Sequence, residues 1–301
     1  MSMVVGVDPA HRSASALHLA ALLARSSGTG VIVAAVVPPA WPSTAGGADA
    51  EWRGYTRENA DRALDHAAAV LGGSTSTEYL LHEAPSARRG LTELAEQRGA
   101  SLIVVGSGAD ADPGRIALGA ESDTLLHASP VPVAIAPRAY RTEEDARVTG
   151  VTAAYRGTGA SAGLVLGAAG VAASVGAELR VASFAVVPRD SGTSGAGLDA
   201  ELPIASTWAA DIERQAATVV RQVGELDGGP TVSSVDIGFG DTWESAIADI
   251  AWRPGEVLVV GSSTLGPIAR VFLGSHATKI VRHSPVPVVV VPHSVAPHGR
   301  A

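Results

Sequence analysis

Glycine and hydroxyl residues at a fixed spacing are the clearest sign of chemistry in this chain. Gly261 is followed after two residues by Thr264, and after nine more by the pair Gly274-Ser275. Glycines let backbone N–H groups approach an anion, because no Cβ stands in the way. A helix beginning at Ser275 would add unpaired N–H groups and the positive end of its dipole. The spacing predicts a phosphate-binding loop; the alternative is that Ser275 only caps a helix and the glycines form tight turns.

The same spacing occurs a second time, earlier in the chain. Gly106 is followed after two residues by Ala109, and after nine more by Gly119-Ala120. Arg115 precedes its glycine by four residues, as an arginine also does in the later copy. Two copies of one spacing support each other, so the chain is predicted to contain a tandem repeat.

Short runs of β-branched residues enclose both copies. Leu258–Val260 and Val286–Val291 lie on either side of the later copy, and Leu102–Val105 and Val131–Ala136 on either side of the earlier one. Amphipathic segments separate the runs, a pattern typical of strand, helix and strand. Strand and helix patterns alternate before each copy as well. The predicted fold class is α/β: two tandem, doubly wound, parallel five-stranded sheets flanked by helices.

These motifs resemble the phosphate-binding signature of the universal stress protein family, in its tandem two-domain form. The family has Gly at three anchor positions, followed by Ser or Thr. Ala109 and Thr264 replace the second glycine here. The resemblance implies an adenine nucleotide, most often ATP and with Mg²⁺ where it accompanies ATP, bound beyond the carboxyl ends of the strands. It also implies a stress-response or signalling regulator.

The resemblance assigns nucleotide contacts to seven residues: Asp8, Val36, Gly106, Gly119, Gly261, Gly274 and Ser275. From the residues alone, Asp8 could instead organise a turn or cap a helix, and Val36 could be an ordinary core residue.

The two repeats depart from the family pattern in different ways. Matching Gly150 to Gly6 places Thr152 where the first repeat has Asp8, followed by a loop about four residues longer. Phe184 takes the place of Val36. The first repeat lacks the hydroxyl, because Ala120 stands where the second repeat has Ser275. We therefore expect weak ATP or ADP binding, with the first repeat better suited to adenosine and the second to phosphates alone.

The repeats define the predicted domains. We expect domain 1 at residues 1–137, a polar linker at 138–146, domain 2 at 147–292 and a disordered tail at 293–301. Open strand edges invite aggregation, so we expect Val131–Ala136 and Val286–Val291 to pair as an internal pseudo-dimer. The sequence does not decide whether two copies of the whole chain also form a homodimer.

Composition excludes several classes of protein. The 301 residues include no cysteine, which excludes disulfides and thiolate metal sites. A net charge of −8 argues against nucleic-acid and anionic-membrane surfaces. A short apolar start without a basic region predicts a cytoplasmic protein rather than a secreted one.

The potentially catalytic side chains form no recognisable set. Nine histidines are scattered without ligand spacing, and we interpret them as solvated or capping residues rather than metal ligands. No Ser-His-Asp order or carboxylate pair emerges, so we expect no enzymatic activity. Two functions stay open: a nucleotide-binding regulator with partly degenerate motifs, or a degenerate tandem that no longer binds nucleotide and acts on an unknown protein partner.

Overall fold

A computed structural model describes residues 1–11, 13–39, 47–73, 76–187, 198–262 and 274–292. The chain forms two compact units. The first is built mainly on Met1–Arg147, and the second on Val148–Gly261 and Gly274–Val288.

The first unit alternates strands and helices throughout. Its elements are β1 (Ser2–Val7), α1 (Ser15–Ser27), β2 (Gly30–Val37), α2 (Gly47–Leu71), β3 (Thr77–Glu83), α3 (Ala87–Arg98), β4 (Leu102–Gly106), α4 (Ala120–Ala128) and β5 (Val133–Ala136). The strands lie in the order β3-β2-β1-β4-β5, and neighbouring strands pair in parallel. The order reverses direction between β1 and β4, which places the ligand crevice of such a sheet at their carboxyl ends.

The second unit repeats this arrangement. Its elements are β6 (Gly150–Ala154), α5 (Gly159–Val175), β7 (Glu178–Val186), α6 (Leu198–Gly224), β8 (Val232–Gly240), α7 (Trp243–Ala248), β9 (Glu256–Gly261), α8 (Ser275–His283) and β10 (Val288–Val291). The strand order is β10-β9-β6-β7-β8. β9 pairs with β6, β6 with β7 and β7 with β8, all in parallel. The predicted doubly wound α/β class is confirmed, and the second crevice lies between β6 and β9.

Small aliphatic side chains fill the interior of both sheets. Val4 and Val5 of β1 and Leu19 and Leu22 of α1 are fully buried. Because a central parallel strand is covered on both faces, it reads as a continuous apolar run, which is why the sequence pattern located these strands well.

Two helices begin inside segments whose glycines and prolines favour loops. α2 begins at Gly47 within residues 38–50, and α6 begins at Leu198 within residues 188–206. Residues 198–202 read Leu-Asp-Ala-Glu-Leu, which includes strong helix formers, and these outweigh the Pro203 that suggested a loop. The tail predicted to be disordered, 293–301, lies outside the described residues.

The predicted linker packs on the first unit. Residues 138–146 contain turns but no helix or strand. Arg25 of α1 donates hydrogen bonds to the carbonyls of Ala146 (3.0 Å) and Glu143 (3.1 Å). Burial raises the pKa of Tyr140. This segment is therefore held in place rather than freely extended.

No helix in the described part of the chain is both long and apolar enough to span a membrane.

A row of charged side chains crosses the second sheet. Arg180 of β7 and Glu256 of β9 are 4% and 3% exposed, and Arg180 Nη2 lies 2.6 Å from Glu256 Oε1 in an ion pair without aligned hydrogen-bond geometry. Arg180 Nη1 lies 3.2 Å from Asp236 Oδ2 of β8, and the Thr152 hydroxyl of β6 donates to Glu256. One member thus stands on each of four neighbouring strands.

This row makes a stability prediction. Removing one partner of a buried ion pair leaves the other charge uncompensated and costs about 3–5 kcal/mol. We expect Arg180→Met to lower the free energy of unfolding of the second unit by that amount, measured by urea denaturation followed by circular dichroism. The control is Arg214→Met, which removes an exposed ion pair with Asp211 and should cost less than about 1 kcal/mol. Equal effects of the two substitutions would contradict the prediction.

Candidate nucleotide site

The first crevice begins at Asp8, directly after β1. Asp8 Oδ1 accepts the Ala10 N–H at 2.8 Å, and Oδ2 lies 2.8 Å from His11 Nδ1. More than half of each of these two side chains is exposed. The carboxylate therefore organises its own turn at the mouth of the crevice, the local role that the sequence left open.

Val36 lies on β2 and packs against helix α3. A Cβ built on Gly90 of α3 would lie 2.7 and 2.9 Å from the two methyl groups of Val36. Val36 can therefore pack closely against α3 only because residue 90 has no side chain. At least part of the Val36 side chain is covered by protein.

Gly106 and Gly119 enclose the loop of the first repeat. Gly106 ends β4, and a Cβ there would lie 3.9 Å from Ser13 Oγ. Gly119 precedes α4 with extended backbone and no neighbour within 4 Å of a built Cβ. Neither glycine adopts positive φ. Their contribution is therefore the space that the missing side chains leave open beside the crevice.

Strand register corrects the alignment of the two repeats at Asp8. Val4 pairs with Ile103 in the first unit, and Thr152 pairs with Leu258 in the second. Gly106 and Gly261 end the strands that contain these partners, each three residues further on, so Thr152 corresponds to Val4 and not to Asp8. The match of Gly150 to Gly6 was wrong by four residues, because both strands contain a glycine among small apolar residues.

The residue equivalent to Asp8 is Arg156. It follows β6 as Asp8 follows β1, and it is exposed. The corrected alignment also removes the apparent four-residue insertion after this strand. The second repeat therefore carries the opposite charge at the mouth of its crevice.

Cationic side chains gather where α8 begins. Gly274 precedes the helix with extended backbone and no side-chain cap, and Ser275 is its exposed first residue. Burial, Arg156 and Lys279 lower the pKa of His276, the second residue of α8. The positive charges of Arg156 and Lys279 both act against protonation of His276.

Trp243 at the start of α7 orders this group. Its ring contacts the His276 ring edge-on, with centroids 5.3 Å apart. The Lys279 ammonium lies over the indole, 5.7 Å from its centroid. Trp243 therefore holds a histidine and a lysine at the helix start, where an anion is favoured by the dipole.

The remaining motif residues of the second repeat can be placed in part. Gly261 ends β9, and a Cβ there would meet Leu164 of α5 at 3.5 Å, an ordinary contact. Thr264 and Arg270 lie outside the described residues. Among the residues that are described, no group of three His, Cys, Asp or Glu side chains could hold a metal ion.

Comparisons with known proteins identify the family. The sequence model of the universal stress protein family matches residues 1–137 and 150–292. The chain is 36% identical over 298 residues to universal stress protein Rv2319c of Mycobacterium tuberculosis H37Rv, covering 97% of this chain and 100% of that protein. Universal stress protein Mb2346c of Mycobacterium bovis gives the same values. The chain belongs to the universal stress protein family.

Solved universal stress proteins share the fold. The crystal structure of one from Archaeoglobus fulgidus covers 97% of this chain and 98% of its own, with a TM-score of 0.60 at 18% identity. At this identity the likeness establishes the α/β architecture alone.

Three residues of the second crevice escaped sequence reasoning. His276 is one of nine histidines without ligand spacing, Trp243 reads in the sequence as an ordinary packing residue at a helix start, and the match of Gly150 to Gly6 hides Arg156. A signal for Arg156 existed: Val36 and Phe184 match at a spacing of 148 residues, and the same spacing takes Asp8 to Arg156. For Trp243 and His276 the sequence offered none, since they lie on different helices.

The contact between Val36 and Gly90 makes a prediction for this universal stress protein. Gly90→Ala places a methyl group against the stiff Val36 side chain, and such overpacking costs about 1–3 kcal/mol. This cost is at least as large as the roughly 1 kcal/mol of stability that replacing glycine by alanine contributes inside a helix. We expect a net loss of stability in thermal unfolding, and recovery when Val36→Ala is combined with Gly90→Ala.

The matched control for this prediction is Gly54→Ala in α2. A Cβ at Gly54 meets nothing within 4 Å, so only the helix propensity should act, and the melting temperature should rise. A rise for Gly90→Ala as well would mean that Val36 does not fill this contact.

Proposed function

We propose that this universal stress protein is a regulator that binds ATP or ADP weakly, through the phosphate groups, in its second repeat. The observation that carries the proposal is the group that Trp243 orders at the start of α8: His276 lies edge-on to its ring and the Lys279 ammonium lies over it. Arg156 adds a further positive charge, which acts on the pKa of His276. Binding without turnover is proposed, because none of these residues is paired with a nucleophile.

The chemistry of the second crevice suits phosphate in three ways. The first turn of α8 offers unpaired backbone N–H groups, and Gly274 brings no side chain between them and a ligand. Arg156 and Lys279 supply charge-assisted hydrogen bonds, which are about twice as strong as neutral ones. Arg156 also replaces the carboxylate that would repel an anion at this mouth.

The second repeat has fewer residues suited to binding the adenosine part of the nucleotide. Phe184 stands where the first repeat has Val36, and the carboxylate of Asp8 is absent. We therefore propose that the phosphates supply most of the affinity, that adenosine adds little, and that a magnesium ion would enter with the nucleotide rather than on its own ligands.

Calorimetric titration tests the proposal. We expect wild type to bind ATP and ADP in the high micromolar to millimolar range and adenosine far more weakly. Arg156→Gln and Lys279→Gln should each weaken ATP binding about ten- to a hundredfold, since a hydrogen bond to a charged group contributes about 1.5–3 kcal/mol. Arg214→Gln, which changes an exposed arginine on α6, should leave the affinity unchanged.

Two results would overturn the proposal. Equal ATP affinity in wild type, Arg156→Gln and Lys279→Gln would place any nucleotide elsewhere. Absence of ATP binding to wild type at millimolar concentration would leave the second function, a degenerate tandem that acts on a protein partner. The internal pseudo-dimer and the homodimer stay predictions in either case.

Proton uptake gives a second test of the same site. Burial and two cations lower the pKa of His276 in the free protein, which favours the neutral imidazole near pH 7. A phosphate beside it would favour the charged form and raise that pKa. Binding should therefore take up protons, and affinity should increase as pH falls from 8 towards 6.

The phosphate group of ATP also titrates near this range, so the control is the His276→Asn variant. We expect calorimetry in buffers of different ionisation enthalpy to find more proton uptake in wild type than in His276→Asn. Equal uptake in the two proteins would remove His276 from the site.

A further inference from the structure

The loop of the first repeat, between Gly106 and Gly119, uses its own backbone donors. The Gly108 N–H donates to the Ala117 carbonyl at 2.9 Å, and the Ala117 N–H donates to Ser107 Oγ at 2.8 Å. The Ala111 N–H donates to the Gly108 carbonyl at 3.3 Å. Three backbone N–H groups of the loop are thus engaged inside it and do not point to a ligand.

Arg138, the first residue of the linker, holds the same loop from outside. Its Nη1 donates to the carbonyls of Ala109 at 2.6 Å and Ala111 at 2.5 Å. Its backbone N–H donates to the Arg115 carbonyl at 2.9 Å, and its carbonyl accepts the Gly114 N–H at 2.8 Å. One residue therefore makes four hydrogen bonds to four positions of the loop.

The closed loop is also packed. Ala111 and Ile116 are 6% and 2% exposed although they belong to a connecting segment. Opening the loop would expose both side chains to water, so the hydrogen bonds of Arg138 and this burial support the same conformation.

The linker is constrained directly after Arg138. Ala139 has φ 60°, a left-handed conformation that disfavours residues with a Cβ. Arg25 of α1 binds the carbonyls of Glu143 and Ala146 further along the linker. The hydrogen bonds on either side of Ala139 therefore stabilise its unfavourable backbone conformation. They hold the linker against α1 and keep Arg138 in contact with the loop.

We propose that Arg138 is a latch: it holds the loop of the first repeat closed and keeps that repeat from binding phosphate. The guanidinium is engaged by the neutral carbonyls of Ala109 and Ala111. Asp110 and Asp112 are exposed in the same loop, and their negative charge disfavours an anion there. This inference is independent of phosphate binding in the second repeat. It assigns the linker a regulatory contact with the first repeat.

Hydrogen exchange tests the latch directly. In Arg138→Gln we expect the amides of Ala111, Gly114 and Ala117 to exchange at least tenfold faster than in wild type. The matched control is Arg141→Gln, an exposed arginine in the same linker whose charge acts on His18 of α1 and should leave these amides unchanged. Ser107→Ala removes the other support of the loop and should accelerate exchange at Ala117.

ATP titration tests the inhibitory role. In full-length protein carrying Arg156→Gln, to weaken the second repeat, adding Arg138→Gln should increase ATP affinity at least threefold, and adding Arg141→Gln should not. Circular dichroism confirms that each variant is folded. Unchanged exchange in Arg138→Gln overturns the latch, whatever Ser107→Ala does. Faster exchange without a gain in ATP affinity overturns its inhibitory role.

Discussion

Parallel pairing of the first and fourth strands of each repeat is the interaction on which the site depends. β1 pairs with β4, and β6 pairs with β9, while the second strand of each repeat lies on the opposite side. The chain must therefore leave neighbouring strands in opposite directions. This opens a crevice at their carboxyl ends, and it brings Arg156 near the start of α8 although more than a hundred residues separate them in sequence.

The two repeats have kept this frame and changed the charges within it. At the crevice mouth the first repeat carries Asp8 and the second Arg156. Inside the sheet, only the second repeat buries an ion pair at these strand positions, formed by Arg180 and Glu256. The equivalents of Thr152 and Arg180 in the first repeat are the aliphatic Val4 and Ile32. Because a parallel sheet is specified by burial and register rather than by particular side chains, such charges can change without changing the fold.

A buried ion pair is weak evidence for stability, since its desolvation offsets much of the attraction. Its cost here is limited by extra partners. The Arg253 N–H donates to the second oxygen of Glu256 at 2.9 Å, Arg180 donates to the Ala251 carbonyl at 2.9 Å, and the guanidinium lies 5.4 Å from the Trp252 ring centroid. These contacts tie the segment before β9 to β7.

Sequence alone determined the fold class and the duplication. Continuous apolar runs mark strands that are buried on both faces, and the spacing from Gly106 to Gly119 recurs from Gly261 to Gly274. Helix starts were predicted less well: α2 and α6 begin inside segments whose glycines and prolines suggested loops, because local propensity there competes with turn chemistry.

Tertiary structure decided which residues share a site. Strand register decides between Thr152 and Arg156, since one-dimensional matching can place either opposite Asp8. Trp243 and His276 meet across two helices, and Arg138 reaches the first loop from a linker that composition marked only as polar. Composition and spacing report what a residue is and where it lies in the chain. The partner of a side chain across strands and helices is set by packing, and packing is what the sequence pattern does not contain.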